Sequence, residues 1–315
     1  MSRPKLSRLG YGAANLGNLY REIDEDQCWS ILNAAWDTGI RYFDTAPHYG
    51  LGLSERRLGA FLATKPRAEF SVSTKVGRLL RPTGGAAASL DLENDFVVPA
   101  DHERVWDFSR EGIRRSLDES LERIGLDRVD VLYLHDPEKY DLAIAETDAY
   151  PALAYLRDEG LVTAVGVGSM SVVALERATV RADLDIMMVA GRITLLEQPA
   201  LDGVVARAQQ VGIDIVAAGV FNSGVLATNE PGKRYEYGST PPHLVEKALE
   251  IAQICRAHSV DLPTAALQYP LRVRSIRSVV VGGSTPQQVT ENSSRMAEEI
   301  PEGLWSDLAE SGLIP

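Results

Sequence analysis

Eight short apolar runs alternate with helix-like segments along the chain, and this alternation limits the fold more than any other feature. The runs span 8–13, 40–45, 70–75, 129–135, 163–169, 185–191, 213–219 and 278–283. Most are continuous rather than alternating with polar residues, which is typical of parallel strands buried on both faces. Eight strand–helix units predict an α/β protein, a (β/α)8 barrel forming one domain over residues 1–315.

The segments between the runs have helical periodicity, with start and stop residues. In 24–38, Asp24 is a candidate N-cap and Gln27 follows three residues later, a variant of the capping box. Gly39 then provides a stop. The other predicted helices are 54–63, 109–124, 151–159, 172–181, 200–211, 242–257, 286–298 and 303–312.

Two connections are unusually long, 79–107 after the third run and 221–241 after the seventh. Loops of this length are usually functional or disordered. Loops that follow strands lie at the C-terminal face of a barrel, where active sites form. We therefore expect both connections to border the active site.

Composition argues against several other classes of protein. The net charge of −12 argues against a nucleic-acid partner. No apolar run approaches the ~18 residues of a membrane helix, and the N-terminus lacks the apolar core of a secretory signal. Cys28 and Cys255 lie far apart without metal-binding spacing. We expect buried thiols, no metal site and a cytoplasmic location.

Ionisable side chains stand where three consecutive predicted strands end. Asp44 ends the second strand, and Tyr49 lies in the loop after it, within FDTAPHYG. Lys75 ends the third strand, and His135 ends the fourth. Each of these residues alone is more often a turn, packing or solvated residue. Because successive strand ends are neighbours around the rim of a barrel, we expect the four side chains to converge.

These four side chains suit proton transfer. An adjacent ammonium favours a phenolate, so we expect Lys75 to lower the pKa of Tyr49 below its ordinary value. Asp44 would hold Lys75 through a charged hydrogen bond, and His135 would bond a substrate oxygen beside Tyr49. His48 precedes Tyr49 by one position, and we expect it to point away from the site.

The stretches FDTAPHYG, STKVG and LYLHD resemble the signatures of the aldo-keto reductases, in order and over nearly the whole chain. The resemblance implies a (β/α)8 barrel that uses a nicotinamide cofactor without a Rossmann domain. It places Asp44, Tyr49, Lys75 and His135 in the family's catalytic positions. The segment GYGAANLG does not complete the GxGxxG pattern of a Rossmann domain. The segment VVGGSTPQQ does not match a Walker A loop.

The stretches VAGRITLLEQ and GVFNSGVLA resemble the aldose-dehydrogenase branch of this family, which includes the L-fucose, D-threo-aldose and L-galactose dehydrogenases. The resemblance implies oxidation of a cyclic aldose at C1 to a lactone. The predicted substrate contacts are Tyr49, His135 and Trp106, with Trp106 and Phe96 covering the apolar face of the ring. The alternatives are a carbonyl reductase or pyridoxal 4-dehydrogenase on the same scaffold, and a cofactor-binding redox sensor.

The resemblance also implies where the cofactor lies. Relatives often hold the 2′-phosphate of NADP with Lys and Arg, and Gly282 and Gln288 stand at those places here. Their lack of charge favours NAD and leaves NADP as the alternative. Ser169 is the candidate for the nicotinamide amide, and the helix start near Thr285 suits a phosphate. The predicted cofactor-binding residues are Gly12, Ala13, Asp44, Ser169, Arg192, Gly219, Phe221, Asn222, Gly224, Gly282, Gly283, Ser284, Thr285, Gln288 and Asn292.

Overall fold

A closed barrel of eight parallel strands forms the centre of the protein. The computed structural model describes residues 3–84, 89–232, 234–235 and 238–315. We number the barrel strands β1 to β8: Leu9–Gly12, Tyr42–Asp44, Ser71–Val76, Val129–His135, Val162–Ser169, Ile186–Ala190, Asp214–Ala218 and Ile276–Val281. Each pairs with the next in the chain, and β8 pairs with β1. The predicted (β/α)8 barrel is confirmed.

The helices largely follow the predicted segments. Their bounds are Glu25–Asp37, Leu53–Leu62, Arg110–Ile124, Leu142–Ile144, Tyr150–Asp158, Val172–Arg181, Ala206–Val211, Pro242–Ala257, Leu262–Gln268, Pro286–Ala297 and Glu302–Glu310. Asp24 caps the first of them by accepting a hydrogen bond from the backbone N–H of Gln27 at 2.7 Å, as predicted. Among the described residues, no helix is both long and apolar enough to span a membrane.

The helices differ from the prediction in some details. The segment 200–211 begins with a π-helical stretch, Leu201–Val205, before the α-helix. The helix Leu262–Gln268 was not predicted. Its seven residues are too few for a clear periodicity, and Pro263 and Pro270 interrupt the helical pattern around it.

The interior of the barrel is filled by side chains rather than open. The inward cluster contains Tyr42, Val131, Tyr133, Ala164, Ile186, Met188, Val216 and Val280. The Tyr42 hydroxyl lies 3.0 Å from Ser73 Oγ and 3.3 Å from the Tyr133 hydroxyl, so these buried polar groups satisfy one another. This packed interior forms the floor beneath the C-terminal rim.

The connection 79–107 contains regular structure. Strand Arg78–Pro82 pairs antiparallel with strand His102–Trp106, forming a hairpin at the C-terminal face directly after β3. Residues 85–88 of this connection lie outside the described residues. In the second long connection, Arg234–Tyr235 pairs with Gly238–Ser239. The long connections thus carry pairing that their turn-rich sequences did not reveal.

Candidate active site

The rim at the ends of β2 and β3 holds a buried ion pair with a phenol. Lys75 Nζ donates hydrogen bonds to Asp44 Oδ2 at 2.6 Å, to the Thr45 carbonyl at 3.0 Å and to the Tyr49 hydroxyl at 3.0 Å. Asp44 and Lys75 are buried. The three protons of the ammonium therefore have three partners, which a buried cation requires. Lys75 is the penultimate residue of β3, one position earlier than the strand end.

Asp44 is fixed from below as well. Ser73 Oγ donates to Asp44 Oδ1 at 2.7 Å and also lies against the Tyr42 hydroxyl. Both carboxylate oxygens are thus engaged, one by Ser73 and one by Lys75. Register explains the contact, since Asp44 pairs with Ser73 across β2 and β3. Sequence reasoning did not identify this support.

His135 lies beside Tyr49, at the end of β4. Their ring centroids are 6.0 Å apart and the rings are perpendicular. Burial lowers the pKa of His135 well below its usual range, and the charges of Arg78 and Lys75 lower it further. The imidazole is therefore neutral at physiological pH and offers one hydrogen-bond donor and one acceptor.

The prediction that Lys75 lowers the pKa of Tyr49 below its ordinary value is wrong as a net effect. Burial raises the pKa of the Tyr49 phenol more than the Lys75 charge lowers it, and Asp44 adds to the rise. The phenol is therefore protonated at neutral pH. Burial also acts to lower the pKa of Lys75, but attraction to Asp44 and Tyr49 outweighs it and the net shift is upward. The ammonium stays charged.

The expectation that His48 points away from the site is also wrong. Its ring centroid lies 5.7 Å from that of His135 and 5.5 Å from that of Phe96. The backbone N–H of Tyr49 bonds to the Ala46 carbonyl at 3.1 Å, so these residues form a turn. The alternation of side chains along a strand does not apply in a turn, and neighbouring residues can face the same side.

A cavity of about 500 Å³ opens above these residues, and we call it the rim cavity. An outer cavity of about 450 Å³ shares Phe221 and Gly282 with it and extends along the helix Pro286–Ala297. Together they form a long groove. Of the predicted cofactor-binding residues, those lining the groove are Gly12, Asp44, Ser169, Gly219, Phe221, Gly224, Gly282, Gln288 and Asn292. Those outside this lining are Ala13, Arg192, Asn222, Gly283, Ser284 and Thr285.

Ser169 reaches the rim cavity, but its hydroxyl is already engaged. It donates to Glu138 Oε1 at 2.8 Å and accepts from the backbone N–H of Ser171 at 2.8 Å. Burial raises the pKa of Glu138. To hold an amide, Ser169 has one lone pair left, which suits an N–H donor. Glu138 was not among the predicted residues.

The start of the helix Pro286–Ala297 is bordered by an arginine that sequence reasoning missed. Thr285 caps the helix by accepting from the backbone N–H of Gln288 at 3.2 Å. The Gln288 side chain in turn accepts from the Ser284 N–H at 2.8 Å. Arg21 donates to the Ser284 carbonyl at 2.7 Å. A guanidinium beside a helix N-terminus favours an anion.

Trp106, a predicted substrate contact, lies in the hairpin and not in the lining of the rim cavity. The Arg78 guanidinium is 4.4 Å from the centroid of its ring, and Tyr140 stacks with it at 5.7 Å. Phe96 is buried against His48 and Tyr49. In this arrangement, Trp106 supports Arg78.

The fold and the four side chains at its rim define a (β/α)8 barrel enzyme equipped for proton transfer beside a long groove. The sequence model of the Aldo/keto reductase family matches residues 8–311, and the chain belongs to this family. It is 60% identical to D-threo-aldose 1-dehydrogenase from Pseudomonas sp over 98% of this chain and 94% of the relative.

Two further similarities agree with this membership. Pyridoxal 4-dehydrogenase from Microbacterium luteolum is 34% identical over 98% of this chain and 95% of its own. A solved aldo-keto reductase from Bacillus halodurans, in its holo form, superposes with a TM-score of 0.76 at 22% identity. That superposition covers 98% of this chain and 93% of the other, and it supports the fold.

Family membership implies a nicotinamide cofactor, and the groove fits one. It begins beside Tyr49 and runs past Gln288, in the first turn of the helix Pro286–Ala297, whose start suits a phosphate. At the bend after β7, Gly219 has a φ of 63°, a left-handed conformation that glycine adopts readily. The same bend places Phe221 in the walls of both cavities.

Replacing Lys75 with methionine should leave the Asp44 carboxylate buried without its cation. We expect the free energy of unfolding to fall by about 3–5 kcal/mol. Adding Asp44→Asn removes the orphaned charge, so the double variant should be more stable than Lys75→Met alone. Urea unfolding of the wild type, both single variants and the double variant measures this coupling. The prediction is contradicted if the free energy of unfolding of the double variant falls by the sum of the losses in the two single variants.

Proposed function

We propose that the protein oxidises a cyclic aldose at C1 to a lactone, with NAD as the hydride acceptor. The observation that carries this proposal is the Lys75 ammonium held between Asp44 and Tyr49 at the mouth of a long groove. The 60% identity to D-threo-aldose 1-dehydrogenase supports the substrate class.

Tyr49 is the acid–base group in this proposal. Its oxygen accepts a hydrogen bond from Lys75, so the phenolic proton is directed elsewhere, and Tyr49 lines the rim cavity. During oxidation the phenolate takes the proton of the C1 hydroxyl, and the Lys75 charge stabilises that phenolate. Asp44 keeps Lys75 in place. When a nicotinamide occupies the groove, it would supply the acceptor for the hydride that leaves C1.

His135 positions the reacting oxygen. Its neutral imidazole lies beside Tyr49 in the wall of the rim cavity. A substrate hydroxyl between the two rings can donate to one group while accepting from the other. This arrangement fixes C1 without adding a second charge close to Tyr49.

Oxidation of pyridoxal is the second candidate, because pyridoxal 4-dehydrogenase is 34% identical over nearly the whole chain. The two candidates differ in substrate, since one needs a ring carrying several hydroxyls and the other an aromatic aldehyde. Comparing kcat/KM for L-fucose, L-galactose and pyridoxal with NAD separates them. Slow turnover with all three would favour a redox-sensing role.

A cytoplasmic location belongs to the same proposal. Cys28 and Cys255 are both free and buried. Burial raises the pKa of each thiol to about 12, so neither is reactive at neutral pH. Two unpaired cysteines suit the reducing conditions in which nicotinamide-dependent metabolism runs.

Replacing Tyr49 with phenylalanine should lower kcat with L-fucose and NAD by about 10²- to 10⁴-fold, because the acid–base group is lost. The ring packing against His135 and Phe96 is kept, so the variant should fold and bind NADH as the wild type does. The appearance of NADH measures the rate, and fluorescence quenching measures binding. A wild-type rate in this variant would remove Tyr49 from the mechanism.

NAD should be preferred over NADP by at least about tenfold in kcat/KM. In the outer cavity, Arg295 is paired with Glu291 at 3.5 Å, and Gln288 is uncharged. A 2′-phosphate there would approach a carboxylate, which costs energy. Glu291→Gln should raise kcat/KM with NADP more than with NAD. Preference of the wild type for NADP would contradict this assignment.

A further inference from the structure

We propose that Asp136 and Arg78 bind the hydroxyls of the aldose that lie away from C1, and so select which aldose is oxidised. This inference rests on the proposed aldose oxidation and extends it from the reacting atom to the rest of the ring. Neither residue was among the predicted substrate contacts.

The two residues line a polar cavity next to the rim cavity. This polar cavity has a volume of about 650 Å³, and its walls include His48, Arg78, Asp91, Arg104, Trp106 and Asp136. Asp136 lines both cavities. A sugar with its C1 hydroxyl at Tyr49 would therefore meet Asp136 as soon as its ring extended towards the hairpin.

Asp136 has a left-handed backbone conformation and directly follows His135, the last residue of β4. Its φ of 44° and ψ of 59° are left-handed, a conformation that aspartate adopts more readily than most residues with side chains. Its backbone N–H bonds to the Gly168 carbonyl at 2.9 Å. Its Oδ2 accepts from Arg78 Nη2 at 2.6 Å and lies 3.6 Å from His135 Nε2. These bonds hold the Asp136 carboxylate between Arg78 and His135, at the edge of the site.

The pair presents an acceptor beside a donor. Among the described residues, none forms a hydrogen bond with Asp136 Oδ1 or with Arg78 Nη1. Neighbouring hydroxyls of a sugar match this pattern, since one can donate to the carboxylate while the other accepts from the guanidinium. Only 8% of the Arg78 side chain is exposed, and Trp106 packs against it, so the donor is rigid before a ligand arrives.

The wall of the polar cavity also has unmet hydrogen-bonding capacity. His48 Nδ1, Arg78 Nε and Arg104 Nε are buried, and none has a partner among the described residues. Burial lowers the pKa of His48, with Arg78 and Arg104 adding to the effect, so its ring is neutral. Polar groups concentrated in this way suit a polyhydroxylated ligand better than an apolar one.

The test compares L-fucose with its 2-, 3- and 4-deoxy analogues, in binding to the enzyme–NADH complex and in turnover with NAD. Calorimetry with NADH measures binding without reaction. In the wild type, at least one deoxy analogue should bind about tenfold or more weakly. In Asp136→Asn, that difference should shrink to less than about threefold. If Asp136→Asn also disturbs His135, the binding of every sugar changes by the same factor. The ratio of affinities between L-fucose and a deoxy analogue then stays the same.

Asp130→Asn is the matched control. Asp130 lies near the other end of β4 and pairs with Arg67 at 2.8 Å, so its loss also breaks a carboxylate–arginine bridge on this strand. Its deoxy-sugar pattern should equal that of the wild type. An unchanged pattern in Asp136→Asn overturns the inference alone. Binding without turnover in the wild type overturns the proposed function alone, and absence of both overturns the two together.

Discussion

The buried ammonium of Lys75 is the interaction on which the site depends. A cation in a dry barrel is costly unless its hydrogen bonds are complete and an anion lies beside it. Here Asp44, the Thr45 carbonyl and Tyr49 complete them. The parallel register of β2 and β3 brings Asp44 close to Lys75. The packed barrel interior excludes water from the space beneath them. The fold thus stabilises a positive charge within hydrogen-bonding distance of the Tyr49 hydroxyl.

Tyr49 is subject to two opposing effects. Burial favours the neutral phenol, and Lys75 favours the phenolate. Because burial dominates, the resting group is a proton donor at neutral pH. The proposed oxidation requires the phenolate, so its rate would depend on how readily the phenolic proton leaves. His135 stays neutral beside it and does not compete for the role.

The sequence predicted the barrel and the meeting of Asp44, Tyr49, Lys75 and His135, because strand order alone makes successive strand ends neighbours. It did not predict the orientation of His48, which depends on the geometry of a turn. It also placed no pairing in the connection 79–107, since the strands of that hairpin lie far apart in the chain and their turn residues gave no short-range signal.

The remaining differences arise from contacts between distant segments. Glu138, which follows β4, accepts a hydrogen bond from Ser169 at the end of β5, and Arg78 reaches Asp136 from the hairpin. Periodicity and motif spacing describe one segment at a time, so they do not reveal such pairs. The direction of the pKa shift of Tyr49 was predicted wrongly for a related reason. The sequence showed the neighbouring cation but not how deeply the phenol is buried.

The pH dependence of kcat/KM for L-fucose at saturating NAD tests the central claim most directly. In the proposed mechanism the reactive form of Tyr49 is the phenolate, but its pKa is raised, so the protonated form dominates at neutral pH. The logarithm of kcat/KM should then rise by about one for each pH unit between about pH 6 and pH 9. A profile that is flat or falls across that range would contradict the assignment of Tyr49 as the base.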